Sequence, residues 1–134
     1  MTRFAHPLFA LVLGLGAASC SGGGSSSSAP TSPDPGTPAS PSATITLTSS
    51  GASPKTVTIS AGGQVTFINN DSRTHNMQSD PHPEHTDCPE LAQVGFLTPG
   101  QSRTSGNLNI VRTCGYHDHD DFSNTRFQGS IVIQ

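Results

Sequence analysis

Short segments of alternating polar and apolar residues, closed off by turn-forming residues, constrain the fold of this chain most. Apolar side chains at every second position share one face of an extended strand, so such segments are predicted to be half-buried β-strands. The predicted strands are residues 44–48, 55–60, 64–69, 101–105, 110–114 and 129–133. No stretch shows a helical apolar stripe of useful length. The expected fold class is therefore an all-β sandwich.

The connections between these strands are of two kinds. A turn is expected at residues 61–63, where an alanine and two glycines separate two strands. Longer loops are expected at residues 79–93 and 115–126. Loops of that length in a compact domain are usually functional or disordered, so function is sought there.

The N-terminal residues have the composition of an export signal. Residues 1–20 combine Arg3, an apolar run over residues 8–15 and small residues before Cys20. The apolar run is shorter than the about 20 residues that cross a bilayer. The small residues resemble a bacterial lipobox, which would make Cys20 the lipidated first residue. The alternative is an ordinary signal peptide cut nearby.

Residues 21–42 are rich in Gly, Ser and Pro, which predicts a disordered linker that cannot bury a core. The folded domain is then predicted at residues 43–134. The protein is expected in the periplasm or at the cell surface, in contact with a bacterial membrane only through the lipid anchor.

The charge of the chain excludes some partners. Its 6 Lys and Arg against 9 Asp and Glu give a net charge of -3, with no basic stripe to neutralise phosphates. A nucleic-acid partner is therefore not expected. The length of 134 residues allows one domain at most, and no pattern signals an oligomer, so a monomer is expected.

Five histidines and two cysteines fall in or beside the two long loops. They are His75, His82, His85, Cys88, Cys114, His117 and His119. A single loop histidine is most simply a solvated side chain. This concentration of imidazole and thiol groups instead predicts a site for copper or zinc. Carboxylates crowd the same loops and are expected to orient ligating histidines or to be solvated; they are Asp80, Glu84, Asp87, Asp118, Asp120 and Asp121.

From Pro54 onward, the order of motifs resembles that of the cupredoxins, the plastocyanin and azurin type of small copper protein. The similar segments are residues 57–70 (strand, Gly turn and strand), 74–76 (the first copper His and its Asn), 97–102 (a turn), 114–117 (Cys-x-x-His) and 129–133 (the closing strand). The resemblance implies a cupredoxin-like Greek-key β-sandwich that binds copper.

Carried over residue by residue, the resemblance implies that His75, Cys114 and His117 are the three equatorial copper ligands. Such sites take two imidazoles and one thiolate, with a weak axial partner. His119, His85, His82 and Cys88 are further candidates. The implied role is electron transfer with a redox partner protein, and not that of an enzyme.

The chain departs from the family pattern at three points. Phe127 stands where the family has its axial Met, and Met77 is the only methionine of the domain. The loop that follows His117 is long and acidic. Cys88 lies in a segment that the common pattern lacks.

The pair Cys88 and Cys114 leaves two alternatives open. In an oxidising compartment they are expected to form a disulfide, which would close a loop of about 25 residues and stabilise the domain by about 3 kcal/mol. The copper site would then be nitrogen-rich and would lack the blue colour of a thiolate-bound copper. Otherwise Cys114 is a ligand, and Cys88 is a second ligand or a free thiol.

Four functions compete on this basis. The ligand order places an electron carrier slightly ahead of a protein for copper capture or delivery. A metal-free structural module held by the disulfide is the third. A zinc or copper enzyme comes last, because the chain has no nucleophile–base motif.

Overall fold

The computed structural model describes residues 39–134. The predicted signal peptide, Cys20 and most of the predicted linker lie outside the described residues. Within residues 39–134, no helix has both the length and the apolar character needed to cross a membrane.

Strands make up the regular structure of the described residues, as the alternating pattern predicted. They are β1 (Ser40–Thr48), β2 (Gly51–Ser53), β3 (Thr56–Asn69), β4 (His75–Ser79), β5 (Gly95–Leu97), β6 (Ser102–Thr104), β7 (Arg112–Asp118) and β8 (Gly129–Ile133). Three short 3₁₀ helices lie in the loops, at Pro89–Gln93, His119–Asp121 and Thr125–Phe127. The predicted all-β class is confirmed.

The strands form one continuous mixed sheet in the order β2-β1-β3-β8-β7-β4-β5, and β6 also pairs with β3. The β1–β3 and β3–β8 pairs are parallel and the other strand pairs are antiparallel. Alternate apolar side chains of these strands form one core. At its centre the Phe67 and Tyr116 rings meet edge to face, with centroids 5.3 Å apart.

The expected turn at residues 61–63 is instead a bend inside β3. Residues 56–59 of this strand pair with β8, whereas residues 64–69 pair with β1, so the strand changes partner across the bend. Gly62 has φ +85°, and a Cβ on Gly63 would lie 2.7 Å from Pro41 O. The two glycines therefore let one long strand serve two neighbours.

The short strands β2, β4 and β5 were not predicted, and several strand boundaries differ from the prediction. β1 begins at Ser40, three residues before the expected start of the domain. β7 does not end at Cys114 but continues to Asp118, because Tyr116 pairs with Gly129 and His117 pairs with Gln78. This extension decides where the side chains of the expected copper site point.

We predict that Gly63→Ala destabilises the domain by about 1–3 kcal/mol, because the added methyl meets the carbonyl oxygens of Pro41 and Ser60. Urea denaturation measures the loss. The exposed neighbour Ala61 serves as control, and Ala61→Ser should change stability by less than about 0.5 kcal/mol. Equal midpoints for the two variants would contradict the close approach.

Candidate metal centre

Four histidines from two segments meet at one place. His82 and His85 lie in the loop after β4, His117 lies near the end of β7, and His119 opens the 3₁₀ turn that follows. One ring nitrogen from each comes within 4.8 Å of the other three. The closest pair is His85 Nε2 and His119 Nδ1, at 3.0 Å.

These separations fit a metal ion held by imidazoles. A metal–nitrogen bond of about 2.0–2.1 Å places donor atoms about 3 Å apart when adjacent and about 4 Å apart when opposite. The cluster needs only a small contraction to reach that size. Its donor set is all nitrogen, which suits copper, zinc and nickel.

Two of the cluster nitrogens are buried without a partner. His82 Nδ1 and His117 Nε2 make no hydrogen bond. A buried polar atom left unpaired costs about 1–3 kcal/mol, so such atoms call for an explanation. A cation between the four rings would satisfy both nitrogens.

A carboxylate holds the His117 ring in place. His117 Nδ1 lies 2.6 Å from Asp80 Oδ1, and His117 is almost fully buried. A proton on Nδ1 donates to the carboxylate and leaves the lone pair of Nε2 directed into the cluster, the usual arrangement of a metal-bound histidine. Gly115 makes room for this pair, because a Cβ there would collide with the Asp80 carboxylate.

His85 is held in an unfavourable backbone conformation. Its φ of +55° lies in the left-handed region, which costs a residue with a side chain about 1–3 kcal/mol. Two hydrogen bonds hold it: His85 N–H donates to Pro81 O at 2.7 Å, and the Ser79 hydroxyl donates to His85 O at 2.8 Å. Burial, followed by the nearby imidazoles, lowers the pKa of His85 and favours the neutral ring that a metal requires.

Phe122 fixes the plane of the His82 ring. The two rings are stacked, with centroids 4.1 Å apart and an angle of 4° between their planes. Phe122 is itself 51% exposed, which is unusual for a large apolar side chain. No sequence pattern singled out this residue, because the stacking depends on how the two loops meet.

The expected ligand set His75, Cys114 and His117 is not assembled in this structure. Cys114 Sγ is bonded to Cys88 Sγ, with the Cα atoms 5.8 Å apart, so there is no thiolate. Of the two alternatives left open by the sequence, the structure has the disulfide. The nitrogen-rich site that this alternative implied is also present, but it does not include His75.

The alternation of β7 explains why the set is split. Cys114 and Tyr116 point into the core, whereas His117 lies with Gly115 on the face covered by Asp80. Residues three apart on an uninterrupted strand point to opposite faces. The expected ligand set required β7 to end soon after Cys114, but the strand continues to Asp118.

His75 lies on the core side and is occupied by two carboxylates. Its Nδ1 lies 2.8 Å from Asp118 Oδ2, and its Nε2 lies 3.1 Å from Asp71 Oδ2. Burial acts to raise the pKa of the Asp71 carboxyl. The hydrogen bonds from Ser72 N–H and His75, together with the charge of His75, outweigh burial, so the pKa lies below its usual value.

Phe127, at the position of the missing axial Met, covers the same histidine. Its ring centroid is 4.4 Å from that of His75, and the Arg73 guanidinium lies 5.7 Å from the Phe127 ring centroid. Met77, the only methionine of the domain, is buried in the hydrophobic core. Neither the phenyl ring nor the thioether reaches the four-histidine cluster.

Solved structures similar to this one include a cupredoxin, a plastocyanin and an amicyanin. The purple cupredoxin of Nitrosopumilus maritimus is 21% identical, with a TM-score of 0.52, over 69% of this chain and 99% of its own. The oxidised plastocyanin of Dryopteris crassirhizoma is 18% identical, with a TM-score of 0.52, over 68% and 99%. A Cu(I) amicyanin variant is 14% identical, with a TM-score of 0.55, over 70% and 83%.

No protein-family model and no curated protein sequence matches this chain. At identities of this size the structural likeness establishes the fold and leaves the function open. The domain therefore has a cupredoxin-like fold, as the motif order predicted, with a histidine cluster that could hold a metal.

We predict that Cys88→Ser/Cys114→Ser lowers the free energy of unfolding by about 3 kcal/mol, because the disulfide closes a loop of 26 residues in the unfolded chain. Urea denaturation of the variant, and of the wild-type protein with and without reductant, measures this. Reduced wild-type protein should behave like the variant. A wild-type midpoint that reductant leaves unchanged would argue against the bond.

Proposed function

We propose that this domain binds one copper ion through His82, His85, His117 and His119. The observation that carries the proposal is the pair of buried, unpartnered nitrogens, His82 Nδ1 and His117 Nε2, within a four-imidazole cluster. The Asp80 contact and the Phe122 stacking orient two of the four rings before any ion arrives. Such preorganisation is typical of a ligand site and has no other evident use.

Copper is favoured among the metals that imidazole binds. Among divalent first-row ions, Cu(II) has the highest affinity for a given nitrogen site. The similar structures include a Cu(I) amicyanin variant, which adds support from the fold. When bound, copper would supply a redox-active centre, and without a thiolate ligand it would lack an intense thiolate-to-copper absorption.

Copper capture or delivery is the role that this geometry supports best. His82, His85 and His119 are only partly buried, so an ion can enter and leave without unfolding of the domain. The carboxylates of Asp120 and Asp121 lie in the turn that His119 opens and attract cations. We place this activity in the periplasm or at the cell surface, on the basis of the export signal that the sequence predicts in residues 1–20.

We predict that the full chain binds one equivalent of Cu(II), with an electron paramagnetic resonance spectrum of nitrogen ligands and no intense visible band. His82→Asn and His119→Asn should each lower the affinity at least about tenfold, because each removes one donor. Competition with a chelator of known affinity measures this. Zn(II), titrated in parallel, should bind more weakly.

Asn109→Ala provides the control, since the exposed Asn109 side chain bonds only to Asn107 O, and it should bind copper like the wild type. Thiol counting before the titration should find at most one free thiol, that of Cys20, if the Cys88–Cys114 disulfide is intact. A wild-type protein that binds neither Cu(II) nor Zn(II) would overturn the proposal and would favour a metal-free structural module.

Electron transfer is the second candidate function. The similar structures include an oxidised plastocyanin and a Cu(I) amicyanin variant, so this fold accommodates both states of copper in other proteins. The disulfide and the Asp80 contact fix parts of the two segments that carry the histidines, which would limit rearrangement when the charge of the ion changes.

We predict that, if the domain transfers electrons, the copper-loaded protein gives a reversible couple in voltammetry and keeps its ion in both states. Tight binding of Cu(II) with an irreversible wave, or loss of the ion on reduction, would instead support capture and delivery. His119→Asn should shift the potential of a genuine couple, whereas Asn109→Ala should leave it unchanged.

A further inference from the structure

We propose that His75 is a positioning residue that acts on the copper site through His119, and that it is not itself a ligand; this inference rests on the four-histidine site proposed above. His75 lies on the core side of β4, where Met77 pairs with Asp118 of β7. The pathway from His75 to the cluster runs through Asp118 and the 3₁₀ turn His119–Asp121.

The contacts of His75 leave it no nitrogen for a metal. Nδ1 faces Asp118 Oδ2 and Nε2 faces Asp71 Oδ2, and the imidazole is fully buried. Either nitrogen could reach an ion only by giving up a buried hydrogen bond to a carboxylate. Such hydrogen bonds are among the stronger ones in proteins, and breaking one leaves a buried charge without a partner.

Asp118 connects the two sides of the sheet. While its Oδ2 faces His75, its Oδ1 accepts hydrogen bonds from Asn76 N–H at 3.0 Å and from Asp120 N–H at 3.3 Å. The second of these bonds caps the 3₁₀ turn whose first residue is His119. The orientation of the Asp118 carboxylate therefore sets the start of the turn and, with it, the place of the His119 ring.

The other three ligands have supports of their own. Asp80 holds His117, Phe122 stacks on His82, and backbone hydrogen bonds hold His85. None of these contacts involves His75 or Asp71. Loss of the His75 bridge should therefore act first on His119, while His117 and His85 keep their supports. Phe122 directly follows the turn that Asp118 caps, so any effect on His82 would also pass through this turn.

A double-mutant cycle on the full chain tests this pathway. His75→Gln, His119→Asn and the double variant are compared for Cu(II) affinity, by competition with a chelator, and for their electron paramagnetic resonance spectra. We expect His75→Gln alone to lower affinity about threefold to tenfold with one copper still bound. In the His119→Asn background the same substitution should cost clearly less than it does in the wild-type background, because groups that act in series are not additive.

Met77→Leu is the matched control. It changes a buried side chain on the same strand at similar volume, and it should leave affinity within about twofold. If His75→Gln does not fold, Asp118→Asn replaces it, since it keeps the size of the side chain and an oxygen that can accept from Asp120 N–H, but removes the charge that faces His75. The same dependence on His119 is expected.

Additive losses in the cycle would overturn the proposal, because His75 would then act independently of His119. Unchanged affinity in His75→Gln would overturn it as well. A wild-type protein that binds no copper is a separate result, which removes the proposed function and this inference together. If the wild-type protein binds copper but the variants do not behave as expected, only the inference about His75 fails and the proposed function stands.

Discussion

The Cys88–Cys114 disulfide is the constraint on which the histidine cluster depends. It joins the residue three positions after His85 to the residue three positions before His117, so each half of the cluster lies next to one end of the bond. Both cysteines are fully buried among core side chains. The bond therefore fixes the loop that carries His82 and His85 to the strand that carries His117. Within residues 39–134, the same bond leaves no free thiolate for a blue copper site.

The period of β7 then sorts polar groups onto two faces of the sheet. Asp118 lies on the core face, where it meets His75, and His117 lies on the opposite face, where it meets Asp80. Each histidine has a carboxylate partner, but the consequences differ. His75 meets carboxylates at both nitrogens, whereas His117 meets one and keeps a free Nε2. This difference in partners separates a structural imidazole from one that can bind a metal.

The sequence predicts the all-β class, the cupredoxin-like order of strands and the two segments that form the site. It could not predict how far β7 extends, since Gly115, Tyr116 and His117 carry turn, strand and ligand signals at once. That single boundary decides whether Cys114 and His117 share a face. The sequence also left the disulfide open, because spacing along the chain does not give the distance between two sulfurs. Phe122 and Asp71 act through contacts between distant segments and leave no local pattern.

Placement of the cluster outside the core also changes what the fold can do with a metal. A metal site inside the sandwich would have to use buried side chains that already contact one another, such as Phe127 and His75. The four-histidine cluster is instead built from the loop after β4, the end of β7 and the turn that follows it, and three of its members are only partly buried. The buried contacts of His75 meet this cluster only through Asp118 and the turn that it caps. An ion at the cluster would therefore meet loop residues and the end of one strand, while the cupredoxin-like core keeps its own packing; the fold alone does not decide which function such a site serves.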